Sequence, residues 1–104
     1  MASRMKIQEA LENLFHIKVY FQPPPNLSLE FPCVVYEKVR TEVRRADDRP
    51  FTFYDRYTVT HISKTNDETV PIKMLGAFRH AFQDREFKTE GLYHQVYTVY
   101  IYNN

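Results

Sequence analysis

The stretch Leu92-Tyr93-His94-Gln95-Val96-Tyr97-Thr98-Val99-Tyr100-Ile101-Tyr102 reads as a β-strand that is apolar or aromatic on both faces. Side chains alternate across a strand, so Leu92, Val96, Tyr100 and Tyr102 lie on one side and Tyr93, Tyr97, Val99 and Ile101 on the other. Two such faces need two covers. The chain has only two helical patterns, enough to close one face of a sheet. The second face must find a crossing loop, water or another molecule, which points to an assembling protein rather than a free-standing enzyme.

A length of 104 residues with no break in composition fits a single domain over residues 1–104. Hydrophobic residues make up 43% and charged residues 26%, ordinary globular values that argue against wholesale disorder. Eight Tyr and eight Phe without a Trp suit half-buried sheets and interfaces that are also wetted, although Tyr is favoured in strands in any case. Fourteen Lys and Arg against thirteen Asp and Glu leave a net charge of +1, which gives no bulk support for nucleic-acid or membrane binding. No signal-peptide pattern opens the chain, and no apolar run approaches the ~20 residues of a membrane helix, so a soluble cytoplasmic product is expected.

Ser3 is placed to cap a helix whose Ile7, Ala10, Leu11, Leu14 and Phe15 follow a helical period, with Glu9, Glu12 and Asn13 opposite. Ile17 to Phe21 alternates as a short strand, and Gln22-Pro23-Pro24-Pro25-Asn26 stops it with a stiff spacer. Pro32 leads into a strand over Cys33–Val39, and the charged stretch Arg44–Pro50 separates it from a second strand over Phe51–Ile62. These two strands are expected to form a β-hairpin with a long charged tip. Thr69 is a cap candidate for a second helix, with Pro71 in its first turn. The stripe Val70, Met74, Phe78, Ala81 and Phe82 carries that helix to about Gln83. A short strand near Phe87 and a turn at Glu90-Gly91 then lead into the final strand. The pattern predicts an α+β fold: a mainly antiparallel, twisted sheet with a long β-hairpin, flanked by two α-helices.

Candidates for chemistry are sparse. His16, His61, His80 and His94 show no metal-ligand spacing and read as surface or half-buried side chains, with the His94 ring able to hydrogen-bond the turn before it. Cys33 lies in an apolar run, where a thiol is usually a small buried hydrophobe, and as the lone Cys it has no disulfide partner in the chain. Only Gly76 and Gly91 are available, so no glycine-rich phosphate loop exists. No catalytic residue, metal ligand or cofactor is expected. The charged constellation is Arg44, Arg45, Asp47, Asp48 and Arg49, with Arg40 nearby. It suits contacts to nucleic-acid phosphates, pairing with carboxylates of a neighbouring subunit, or plain solvation, and its mixed sign disfavours the first.

Taken in order, Pro32-Cys33-Val34-Val35-Tyr36-Glu37, Ala46-Asp47-Asp48-Arg49-Pro50-Phe51, Tyr54-Asp55-Arg56-Tyr57-Thr58-Val59 and Leu92-Tyr93-His94-Gln95-Val96-Tyr97 resemble a family of small tail proteins of long-tailed bacteriophages. These are the tail terminators, also called tail-completion or head-to-tail joining proteins, and the likeness runs from about Leu29 to Tyr102. The resemblance implies a sheet flanked by two helices and a homo-oligomer of six copies in a ring. That ring would cap the head-proximal end of the tail tube, stop its polymerisation and offer a surface to the head-side connector, with genomic DNA passing through the lumen. It implies a virion component of the tail or neck, assembled in the host cytoplasm, with no chemical step and no membrane. A ring closed by a heterologous interface needs two different patches on each copy. Arg44, Arg45, Asp47, Asp48 and Arg49 are candidates for subunit or ring-to-ring contacts. Tyr97 and Tyr100 are candidates for packing there, with core placement expected for one of them.

Three other readings remain open at this level. A head-closure, neck-connector or minor tail protein shares the same features. A small nucleic-acid-binding domain would present a basic sheet face bearing Tyr or Phe. A small hydrolase would gather titratable groups in a pocket and depend on Cys33 or His94.

Overall fold

The computed structural model describes residues 3–46 and 49–102, without the side chains of 46 and 49–51. Its elements are α1 (Ser3–Phe15), β1 (Lys18–Phe21), β2 (Cys33–Ala46), β3 (Arg49–Ser63), α2 (Thr69–Ala77), β4 (Ala81–Thr89) and β5 (Leu92–Tyr102). The strands form one sheet in the order β1-β2-β3-β5-β4, with β1 parallel to β2 and the other neighbours antiparallel. The fold is α+β, a mainly antiparallel sheet with a long hairpin and two helices against it.

Strand register decides which side chains the helices meet. Val34 aligns with His61 and Gln95, Tyr36 with Val59 and Tyr97, and Tyr57 with Val99, so these residues share one face. Ile7 and Leu11 of α1, Val70 and Met74 of α2, and Phe78 close over it in one buried cluster. Each fully buried side chain of this size contributes roughly 1.5–3 kcal/mol. Glu9, Glu12 and Asn13 are exposed, as the helical period requires. His16 ends α1 with φ 55° while its N–H donates to the Glu12 carbonyl at 2.9 Å, a left-handed cap.

Ser3 does something other than cap a helix. Its hydroxyl donates to the Asp55 carboxylate and lies 2.7 Å from the Tyr57 hydroxyl. Asp55, only 3% exposed, also accepts from the Thr41 hydroxyl at 2.6 Å and pairs with the Lys38 ammonium at 3.4 Å. The start of α1 is thereby tied to β2 and β3.

Three further expectations are corrected. The second helix stops at Ala77 rather than near Gln83. Phe78 is extended (φ −108°, ψ 123°) and donates its N–H to the Met74 carbonyl at 3.1 Å. Ala81 and Phe82 then open a nine-residue strand along β5, aligned there by the Tyr100 N–H donating to the His80 carbonyl at 2.9 Å. Pairing with β5 outweighs a helical period that continues for one more turn. At the start of α2, Thr69 is the first helical residue rather than the cap; the N-cap position is Glu68, without a side-chain cap hydrogen bond, and Asp67 Oδ1 just before it accepts from the Thr69 N–H at 2.9 Å and the Thr69 hydroxyl at 2.6 Å. In the hairpin, the expected charged tip is largely ladder, with Arg44 opposite Thr52, Arg45 opposite Pro50 and Ala46 opposite Arg49. The turn into β5 follows expectation: Glu90 and Gly91 both have positive φ, as a two-residue type I′ turn requires.

His61 is more buried than its sequence context suggests, at 5% exposure with its ring 5.2 Å from that of Phe15. Burial pushes its pKa below the ordinary 6.5, against the pull of Asp67 and helped by Lys73. The unfolded chain therefore takes up this proton first. The stability His61 contributes is full above about pH 6.5 and is lost as the pH falls through the depressed folded value. Urea midpoints for His61→Phe should fall less on acidification from about pH 7 to pH 5 than those of the unaltered protein. In the same assay Leu11→Ala should cost about 2–5 kcal/mol. Ile72→Ser, at a site 76% exposed, should stay within about 0.5 kcal/mol.

Candidate interaction surface

Both helices lie on one face of the sheet, leaving the even-numbered side chains of β5 on the other. Tyr100 pairs across from Arg56, and Tyr102 from Tyr54. Rings join in an array: Phe82 to Tyr100 at 6.4 Å, Tyr100 to Tyr54 at 5.4 Å, Tyr54 to Tyr102 at 5.3 Å and Tyr102 to His80 at 5.0 Å. Edge and tilted geometries of this kind are favourable for aromatic pairs. Phe82 is 47% exposed, and Tyr54, Tyr100 and Tyr102 are half-buried, so the array is a surface rather than a core.

Charge borders it. Arg40 sits beside Arg56 in the ladder, and its guanidinium donates to Glu42. A hydrogen bond from the Tyr54 hydroxyl, then the Arg40 guanidinium, hold the Glu42 carboxyl below its ordinary value. Arg56 Nε is buried without a hydrogen-bond partner among the described residues. Further along the same face Phe87 stacks on His94 at 4.7 Å, with the Arg85 guanidinium 5.2 Å from the Phe87 ring. His94 Nδ1 lies 3.2 Å from the Leu92 carbonyl, the turn contact its position suggested. The β1–β2 connection reaches part of this face, where the Glu30 N–H donates to the Tyr20 hydroxyl at 3.3 Å.

Beyond Tyr54 the β2–β3 hairpin has no third strand among the described residues, because β5 pairing ends at Tyr102. At roughly 3.3 Å per residue these 14- and 15-residue strands account for the molecule's 50 Å long dimension. On this arm Phe53, facing Val43 on the helix side, is 47% exposed because α1 begins back at Asp55. Arg44 and Arg45 are exposed on the arm. Arg49 takes its place in the ladder by its backbone, and Asp47 and Asp48 lie outside the described residues.

The two tyrosines separate. Tyr97 is fully buried against the helices, its hydroxyl donating to Gln95 Oε1 at 2.9 Å and its pKa pushed up to about 12 by burial. Tyr100 lies on the open face, so core placement falls to Tyr97. Sequence reasoning did not single out Tyr54, Tyr102 and Phe82 as surface contacts. The parity shared by Tyr100 and Tyr102 was the available signal. Cys33 is buried, and burial raises its thiol to about 11, so it is protonated at neutral pH, unlike an activated nucleophile.

No protein-family model matches this chain, and no curated protein matches it either. Among the described residues no three His, Cys, Asp or Glu side chains converge as a metal site needs, and no helix is long and apolar enough to cross a membrane. Tyr100→Ser combined with Tyr102→Ser should leave the helix-side core intact. It should cost less stability than Leu11→Ala, as thermal unfolding can measure.

Proposed function

We propose that this chain is a structural ring protein at the head-proximal end of a phage tail tube, where it stops tube growth and offers the surface for head attachment. The observation that carries this reading is a sheet covered by helices on one face only, with an aromatic array on the other and a hairpin arm extending past it. Two distinct patches on one subunit are what a heterologous, ring-closing contact uses. Tyr-rich surface fits such a contact because its rings pack while its hydroxyls keep the free subunit wetted. The motif order that resembles tail terminators gives the reading its place in the virion. A head-closure ring or minor tail component would use the same surfaces.

The test is deletion of the gene from its parent phage or prophage, followed by electron microscopy of lysates. Detached tails of irregular or excessive length beside full heads are the expected outcome; normal infectious particles would overturn every tail and neck reading. Complementation with Arg44→Glu and Arg45→Glu together should fail to restore joined particles, while the purified variant keeps its unfolding free energy to within about 0.5 kcal/mol. A second reading, single-stranded nucleic-acid binding, is favoured by Arg40 and Arg56 beside Tyr54 and Tyr100. Glu42 offsets Arg40 there, which weakens it. Salt-sensitive binding of a labelled oligonucleotide, lost on Tyr54→Ser, would support that alternative.

A further inference from the structure

The helix α2 is apolar on both of its sides. Val70 and Met74 are buried in the core, yet Ile72 is 76% exposed and Leu75 45% exposed on an outer ridge. A helix with apolar residues all round is normally a covered one. Gly76 continues the ridge, and a Cβ there would meet nothing within 4 Å. The isolated subunit therefore has no need of glycine at this position, although glycine costs about 1 kcal/mol relative to alanine inside a helix. A partner that approaches the helix backbone closely does need it. Glu68, four residues before Ile72, is exposed at the N-terminal end of the ridge. Lys73 lies off the ridge, lining a recess at the other end of the sheet from the arm together with Phe15 and His61.

The β2–β3 arm carries the complementary pattern. Val43 and Phe53 pair on its helix side, beyond the reach of α1, with Phe53 47% exposed. The irregularity in the ladder there adds its extra residue to β3, so β2 keeps its alternation and exposed Arg45 shares the side of Val43. Among the described residues neither Arg45 nor Glu68 is in an ion pair. Two residues of strand and four of helix both advance roughly 6–7 Å, so charge and apolar group are equally spaced on the two patches. We propose that the outer ridge of α2 receives the arm of a second copy of this chain, with Phe53 and Val43 on Ile72 and Leu75 and with Arg45 paired to Glu68. The contact joins two different patches, so it is heterologous and repeats from copy to copy, and in taking the partner to be another copy it rests on the ring reading above. These few side chains fall short of the ~800 Å² that each partner of a stable pairwise complex buries. Each contact is therefore weak alone and gains strength when closure lets every copy make it twice.

Chemical cross-linking of the purified full chain tests this. Ile72→Cys and Phe53→Cys, both at exposed positions, are prepared as separate chains, mixed and treated with a short bismaleimide. Cys33, at 0% exposure, stays out of reach of the reagent. The mixture should give cross-linked dimer at about tenfold or more the yield of either variant alone, and a chain carrying both substitutions should give a ladder of higher species. Glu68→Arg in the first chain or Arg45→Glu in the second should lower the yield, and the two together should restore it. Gly76→Gln in the first chain should lower the yield without lowering its unfolding midpoint. Dimer formed as readily by Ile72→Cys alone would mean that α2 ridges meet each other, and would overturn the proposal. A mixture that yields no more than its components, or a charge exchange that restores nothing, would overturn it too. The ring reading fails separately: cross-linking of this pattern, with normal particles after gene deletion, leaves the contact standing and removes its place in a tail.

Discussion

A buried carboxylate must be met by hydrogen bonds and counter-charge or it destabilises whatever surrounds it, and in this chain that carboxylate is Asp55. Ser3, Thr41 and Lys38 meet it from α1 and β2. Removing the compensation of a buried charge costs about 3–5 kcal/mol. Lys38 is itself 41% exposed, so its share belongs nearer the smaller values of surface pairs, and the two hydroxyls carry more of the load. Ser3, Ile7 and Leu11 fall at intervals of four along α1 and are its buried residues. Once Ser3 is held at Asp55, the next two turns are set down on Tyr57, Val59 and their neighbours, so a polar contact fixes the register of an apolar one.

Much of this was legible locally. The apolar period of α1, the parity of β5 and the Glu90-Gly91 turn are patterns within a few residues, and the structure follows each. The end of α2 was not, because Ala81 and Phe82 satisfy a helical stripe and a strand edge equally well until β5 is present to pair with. The extent of the hairpin was hidden for a different reason. A two-stranded ribbon has no buried side there, so Arg44 and Arg45 leave no apolar alternation to read. The aromatic array and the recess each gather residues from at least three segments, a conjunction that only inter-strand register creates.

The two faces of the sheet handle polarity differently. On the helix side, polar groups such as Gln95 and Tyr97 are hydrogen-bonded to one another, and Gln95 Nε2 reaches the Asp67 carbonyl at 3.1 Å. On the open side, Arg40 and Glu42 are paired at the surface and rings stay partly wet. Such a face avoids a large bare apolar patch while leaving aromatic area exposed to solvent.

The position of β5 has a kinetic consequence. It is the last strand in the chain order and yet lies inside the sheet, between β3 and β4, while α1 at the other end of the sequence packs on the same face. During synthesis α1 and the β2–β3 hairpin emerge long before the strand that completes their core. The core cannot close until β5 has been synthesised, and the closure of such distant segments is slow compared with that of a local hairpin. A nascent chain of this topology waits with its apolar stripe uncovered, which makes the interval before β5 docks its period of greatest exposure to chaperones and to misassociation.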